Sequence, residues 1–165
     1  EEPSTRGKAY RLTGEVNIDL GMATLTSITG WRKVRIREHL DGDATPFTYL
    51  IVEPGTRDRS TQFSEELRLV SDLNDRLRLL VGGFYLHMTI FSADQRTLST
   101  LTPASPIGPG GFRRIQALFD QKADAAAGFA NIDWRATDRL RLSVGGRYSW
   151  EKKEAETVPF QVCTG

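Results

Sequence analysis

The stretch Asp75–Tyr85, DRLRLLVGGFY, returns 63 residues later as Asp138–Tyr148, DRLRLSVGGRY, with nine of eleven positions identical. Each copy starts on a turn signal, Leu73-Asn74-Asp75 or Thr137-Asp138, and continues as an apolar/polar alternation. A period of two marks a strand whose sides meet different surroundings. A unit that returns at fixed spacing predicts a sheet built by repeating one hairpin. The expected fold class is therefore all-β, an antiparallel up-and-down meander of about six long strands.

Working outward, strands are expected at about 10–20, 23–37, 62–70, 77–96, 125–135 and 140–153. Tyr10, Leu12, Val16, Ile18 and Leu20 alternate with Arg11, Thr13, Glu15, Asn17 and Asp19. Gly21-Met22 reads as a two-residue turn. Residues 38–60 are polar, with Asp41-Gly42-Asp43 and two prolines, and read as a long loop. Residues 97–122, with Pro103, Pro106, Pro109 and Gly110-Gly111, read as a second. Within it Ile115, Leu118 and Phe119 allow one helical turn, irregular loop being the alternative. The connections thus run short, long, short, long, short. In a meander every tight turn then lies at one end of the sheet and every long loop at the other. Bacterial outer-membrane barrels segregate loops in this way.

Composition removes other classes. The net charge is +1 and the 22 basic residues are dispersed, so nothing points to nucleic acid. Cys163 is the only cysteine, which leaves no disulfide framework or CxxC metal site within the chain. His39 and His87 have no partner at metal spacing, and no GxSxG, HExxH or P-loop occurs. No catalytic residue, cofactor or metal is expected. No apolar run reaches the ~18–20 residues of a membrane helix, but a membrane strand needs only about 9–11. The chain opens at Glu1 without an initiator Met and stops abruptly at Gly165, which suggests a piece of a longer or processed protein.

The aromatic residues sharpen the choice of medium. Tyr10, Trp31, Tyr85, Tyr148 and Trp150 fall in the apolar register, each eight to ten residues from its tight turn toward the long-loop end. On tilted strands that is roughly 19–25 Å, against an apolar band about 25 Å tall edged by aromatic girdles in membrane barrels. Trp134, near its turn, would belong to the opposite girdle. Amphipathic rings favour the headgroup level, where one edge is dry and the other wet. A soluble sheet could instead bury these rings in a core.

The segments Ala23–Trp31 (ATLTSITGW), Gln62–Leu69 (QFSEELRL), Val81–Tyr85 (VGGFY) and Leu140–Tyr148 (LRLSVGGRY) resemble the barrel of TonB-dependent outer-membrane receptors over residues 10–153. The resemblance implies a 22-stranded barrel filled by an N-terminal plug. It implies uptake of a scarce ligand, such as a siderophore–iron complex or cobalamin, driven through TonB, in the outer membrane of a Gram-negative bacterium. These residues contain no plug and no TonB box, and six strands cannot close such a barrel, so a partial transmembrane β-barrel is expected. Its partners would be outer-membrane lipid, the plug and the remaining strands. The resemblance places Glu66, Arg68, Arg78, Asn131, Asp133, Arg141 and Arg147 on the lumen side. A solvated strand face with cross-strand ion pairs is the plainer reading of the same residues. Arg57, Arg59, Arg113 and Arg114, in the expected loops, could meet an anionic ligand or only solvent. Cys163 is expected where a third long loop begins, either paired with a downstream cysteine or free. Two other functions fit the alternation: a soluble lipocalin-like binding module and a passive porin-type barrel segment.

Overall fold

The computed structural model describes residues 4–39, 50–100 and 112–164, with side chains described for 4–39, 55–95 and 116–158. Six strands follow in chain order: β1 (Ser4–Asp19), β2 (Ala23–His39), β3 (Leu50–Asn74), β4 (Leu77–Thr100), β5 (Phe112–Thr137) and β6 (Leu140–Thr164). They form one sheet in the order β1-β2-β3-β4-β5-β6, each antiparallel to its neighbours. Among the described residues there is no helix and no second layer.

The strands outrun their expected limits. β3 begins at Leu50, inside the stretch expected as the first loop, and β5 begins at Phe112, inside the second. Ile115–Phe119 is therefore strand, not a helical turn. Arg57 and Arg59 lie on β3, and the backbone of Cys163 lies on β6 opposite Arg113, not at the start of a loop. The physical reason is pairing. β3, β4 and β5 have a partner on each side, so their backbone groups are satisfied in ladders whatever the polarity of the side chains. Asp41-Gly42-Asp43, Pro46 and the prolines at 103–109 lie outside the described residues.

Each tight turn is closed by the side chain just before it. Asp19 Oδ1 accepts from Gly21 N (2.8 Å) and Asn74 Oδ1 from Arg76 N (2.9 Å). Thr137 Oγ1 accepts from Leu140 N (3.0 Å). Gly21 has φ 84°, the left-handed conformation that primed hairpin turns need at their first loop position. The other two turns each carry a register shift on their first strand, at Asp72/Asn74 and Arg135/Thr137.

The turns also report the inclination of the strands. One hydrogen-bonded row runs Ile18–Leu25–Leu69–Val81–Ala130–Gly146. Its members stand 7 residues apart across the first turn, 12 across the second and 16 across the third. The turns thus recede by about one residue per strand. At ~3.3 Å per residue and ~4.8 Å between strands, that stagger tilts the strands by roughly 38° from the perpendicular to the line of turns, within the 35–45° of membrane barrels.

Among the described residues no apolar core forms. Ala93 and Ala123 are the buried apolar residues, and no large side chain is fully buried among the described residues. The chain exposes 12088 Å², whereas a compact domain of this mass would expose about 8,200 Å². Even on strands paired on both sides, Trp31, Leu67, Tyr85 and Trp134 stay 37–49% exposed.

Candidate functional site

The candidate site is the sheet's two faces, which pairing defines without ambiguity, since directly opposed residues share a face. One row joins Gly14, Thr29, Glu65, Tyr85, Ala126 and Trp150. Its neighbours carry Leu12 and Trp31 on one side and Tyr148 on the other. Tyr10 pairs with Lys33 in the next row up, and Trp134 with Leu77 and Leu142 at the turn end. All six expected aromatics therefore share one face with Val16, Ile18, Leu25, Leu67, Leu69, Val81, Ile132 and Val144.

Glu66, Arg68, Arg78, Asn131, Asp133, Arg141 and Arg147 share the opposite face. They fall into three groups. Arg68 bonds Glu66 along β3. Arg78 Nε lies 3.6 Å from Asp72, in the vicinity of Asp133 and Arg141 around a hollow near the second turn. Asn131 Nδ2 donates to Asp133 (3.2 Å), and its Oδ1 accepts from Ser143 (3.3 Å). Arg147 stands apart from these and lies over the rings of Phe84 and Phe129, 5.7 and 5.8 Å from their centroids.

The glycines show that the faces differ in crowding as well as polarity. On the polar face a Cβ at Gly82 would meet the Phe129 ring at 2.3 Å and the Leu67 carbonyl oxygen at 2.7 Å. One at Gly145 would meet Asn131 Oδ1 at 2.7 Å, and one at Gly30 the Ser64 hydroxyl at 2.7 Å. On the apolar face Gly14, Gly128 and Gly146 have nothing within 4 Å, and Gly83 has only an ordinary contact at 3.8 Å. Around β2–β6 near these glycines, side chains converge over the polar face and diverge over the apolar one, as on the concave and convex sides of a curved sheet; Gly7, on the edge strand β1 and the polar face, has nothing within 4 Å.

Near the aromatic rows several polar groups of the apolar face pair with one another. Glu65 takes Ser27 Oγ and Thr29 Oγ1, both at 2.6 Å. Tyr85 Oη donates to Asp124 Oδ1 (3.0 Å), which also lies 2.8 Å from His87 Nδ1. Beyond them, Lys152 Nζ is 2.5 Å from Glu154. Alternation alone missed Glu65 and His87, because each interrupts an otherwise apolar register. It also missed Phe84 and Phe129, whose even-or-odd position was a usable signal that apolar character masked. Among the described residues no cluster of His, Cys, Asp and Glu could hold a metal.

The model of the TonB-dependent receptor-like β-barrel matches residues 3–161. The chain belongs to this family. The family is one of receptors, not enzymes. A solved relative in fold is the ferric yersiniabactin uptake receptor FyuA from Yersinia pestis, at TM-score 0.70 and 17% identity. The match covers 98% of this chain and 24% of the receptor, so the chain spans about a quarter of that protein's length. A sequence comparison with curated proteins gives no match. The receptor barrel thus accounts for the open sheet, its long strands and its lack of a core.

Proposed function

We propose that this chain is a wall segment of an outer-membrane TonB-dependent receptor of a Gram-negative bacterium. Its apolar face lies against lipid, with Tyr10, Trp31, Tyr85, Tyr148 and Trp150 in one interfacial girdle and Trp134 in the other. Its polar face, with Glu66, Arg68, Arg78, Asn131, Asp133, Arg141 and Arg147, lines the lumen toward a plug domain. TonB acts through that plug, and the rest of the barrel comes from strands outside these residues. The receptor takes up a scarce ligand of the siderophore–iron or cobalamin kind. FyuA, a ferric siderophore receptor by its description, favours the first.

The observation that carries this reading is the register: six aromatics and seven polar residues sort onto opposite faces without exception. The apolar face remains uncovered, with Val144 74% and Tyr148 79% exposed. Water would penalise such a face by roughly 25 cal/mol per Å², and hydrocarbon would not. The test places Val144→Arg in the intact receptor and follows unfolding from a bilayer. A loss of ~2–4 kcal/mol is expected for a cation within the apolar band. A water-soluble monomer forming without detergent would overturn the reading.

A further inference from the structure

The polar face is not polar throughout. On β4 its successive positions Phe84, Leu86, Met88 and Ile90 are all apolar. Beside them on β5 stand Ala127, Ala125 and Ala123, with Phe129 next in line toward the turns. The alanines leave a shallow trough, with Ala123 only 2% exposed at its floor. Charges bordering the trough cancel locally. Arg68 bonds Glu66 on β3, and Lys153 Nζ lies 3.0 Å from Glu151 on β6. A hydrocarbon body laid on this strip gains the free energy of apolar burial, whereas a charged one would lose its hydration there.

Across β3 the same rows end in the opposite chemistry. Pairing joins Arg11, Arg32, Gln62, Met88 and Ala123 in one row, and Thr13, Gly30, Ser64, Leu86 and Ala125 in the next. Arg11 and Arg32 are directly opposed, an arrangement that destabilises a sheet unless an anion joins them. Neither makes an ion pair among the described residues. With Thr13, Gly30, Gln62 and Ser64 they line a hollow of about 270 Å³. Gly30 leaves the Ser64 hydroxyl its place there, since a Cβ would meet that oxygen at 2.7 Å. Gly30 and Arg32 flank Trp31 in the chain, so the hollow lies at the level of the girdle nearer the long loops, on the lumen side.

We propose that this part of the wall receives an amphipathic organic acid, its carboxylate between Arg11 and Arg32 and its apolar body along β4 and β5. Two guanidinium groups present planar forks to one carboxylate, and Gln62 and Ser64 offer hydrogen bonds just beside it. Three inter-strand gaps, about 14 Å, separate Arg32 from Ala123, so the head and body of one small molecule can be engaged together. The proposal rests on the receptor reading, which makes this face the lumen, and narrows the ligand to one with an acidic head and a lipophilic body.

The test uses the intact receptor in phosphatidylcholine nanodiscs with pyrenebutyrate as the probe. Binding is measured by equilibrium dialysis, with uptake by empty nanodiscs subtracted. The wild type should bind pyrenebutyrate saturably and ~10-fold more tightly than the neutral pyrenebutanol, and should not retain butyrate. Arg11→Gln/Arg32→Gln should weaken pyrenebutyrate by ~10-fold and leave pyrenebutanol unchanged. Ala125→Phe, which fills the trough, should weaken both. Arg35→Gln/Arg37→Gln, on the opposite face, should change neither. Equal affinity of wild type and Arg11→Gln/Arg32→Gln for pyrenebutyrate, or no saturable binding above empty nanodiscs, would overturn the site. Binding that appears only after the plug is removed would assign the surface to the plug and overturn it as well. Heat-modifiable migration reports insertion of each variant separately. A receptor that fails to insert speaks against the membrane reading, and one that inserts but does not bind speaks against this site alone.

Discussion

The two glycines of each repeat sit side by side in VGG, yet they live in different worlds. Gly82 lies under the Phe129 ring and Gly145 under the Asn131 amide, whereas Gly83 meets only a backbone oxygen at ordinary contact and Gly146 looks into open space. β5 runs between the two copies and supplies both covering side chains. Around these glycines the crowded side is polar and bonded to itself, while the open side is lined by Val81 and Val144. The comparison teaches that one strand register sorts polarity, side-chain density and aromatic placement together.

The largest effect expected from disturbing it is Val144→Arg in a bilayer, already given as ~2–4 kcal/mol. The matched substitution Ser143→Arg, on the polar face one residue away, should cost well under 1 kcal/mol by the same unfolding measurement, because water reaches it. Next comes the glycine pair. Gly82→Ala should cost ~1–3 kcal/mol, since its methyl meets both the Phe129 ring and a backbone oxygen that cannot swing aside. Gly83→Ala should be neutral or stabilise by ~0.5–1 kcal/mol, because it restricts the unfolded chain without a clash. Equal losses at the two glycines would erase the difference in crowding. Smaller still, Arg147→Met should lose ~0.5–1 kcal/mol from its contacts with Phe84 and Phe129, and adding Phe129→Leu should cost less in that background than alone. At the bottom of the scale, Thr137→Ala should remove roughly 0.5–1 kcal/mol by freeing the Leu140 amide at the third turn.

Much of this was legible in the residues. The repeat gave the hairpin unit, and its period-two pattern assigned Leu140 to Trp150 and Arg141 to Ser149 to the faces where the sheet holds them. Asp19, Asn74 and Thr137 marked the turns because each can accept from the backbone just beyond it. The strand ends were not legible. Polar composition at 50–60 and 112–122 resembles a loop locally, while the ladders that make those stretches strands come from partners 13 to 50 residues away in sequence. The row that pairs Arg6, Arg37 and Arg57 was hidden for the same reason, since the three are distant in the chain and meet only through register. Glu65 likewise reads as an error in an apolar strand until Ser27 and Thr29 are seen opposite and beside it.

That hydrocarbon touches the side bearing Val144 can be measured directly. Single nitroxide labels at positions 143, 144, 146 and 147 of the intact receptor, in a Cys163→Ser background and in bilayers, report collision with oxygen against a water-soluble nickel complex. Labels at 144 and 146 should favour oxygen and labels at 143 and 147 should favour nickel, alternating residue by residue. Uniform nickel access along all four positions, or alternation of the opposite phase, would contradict the account.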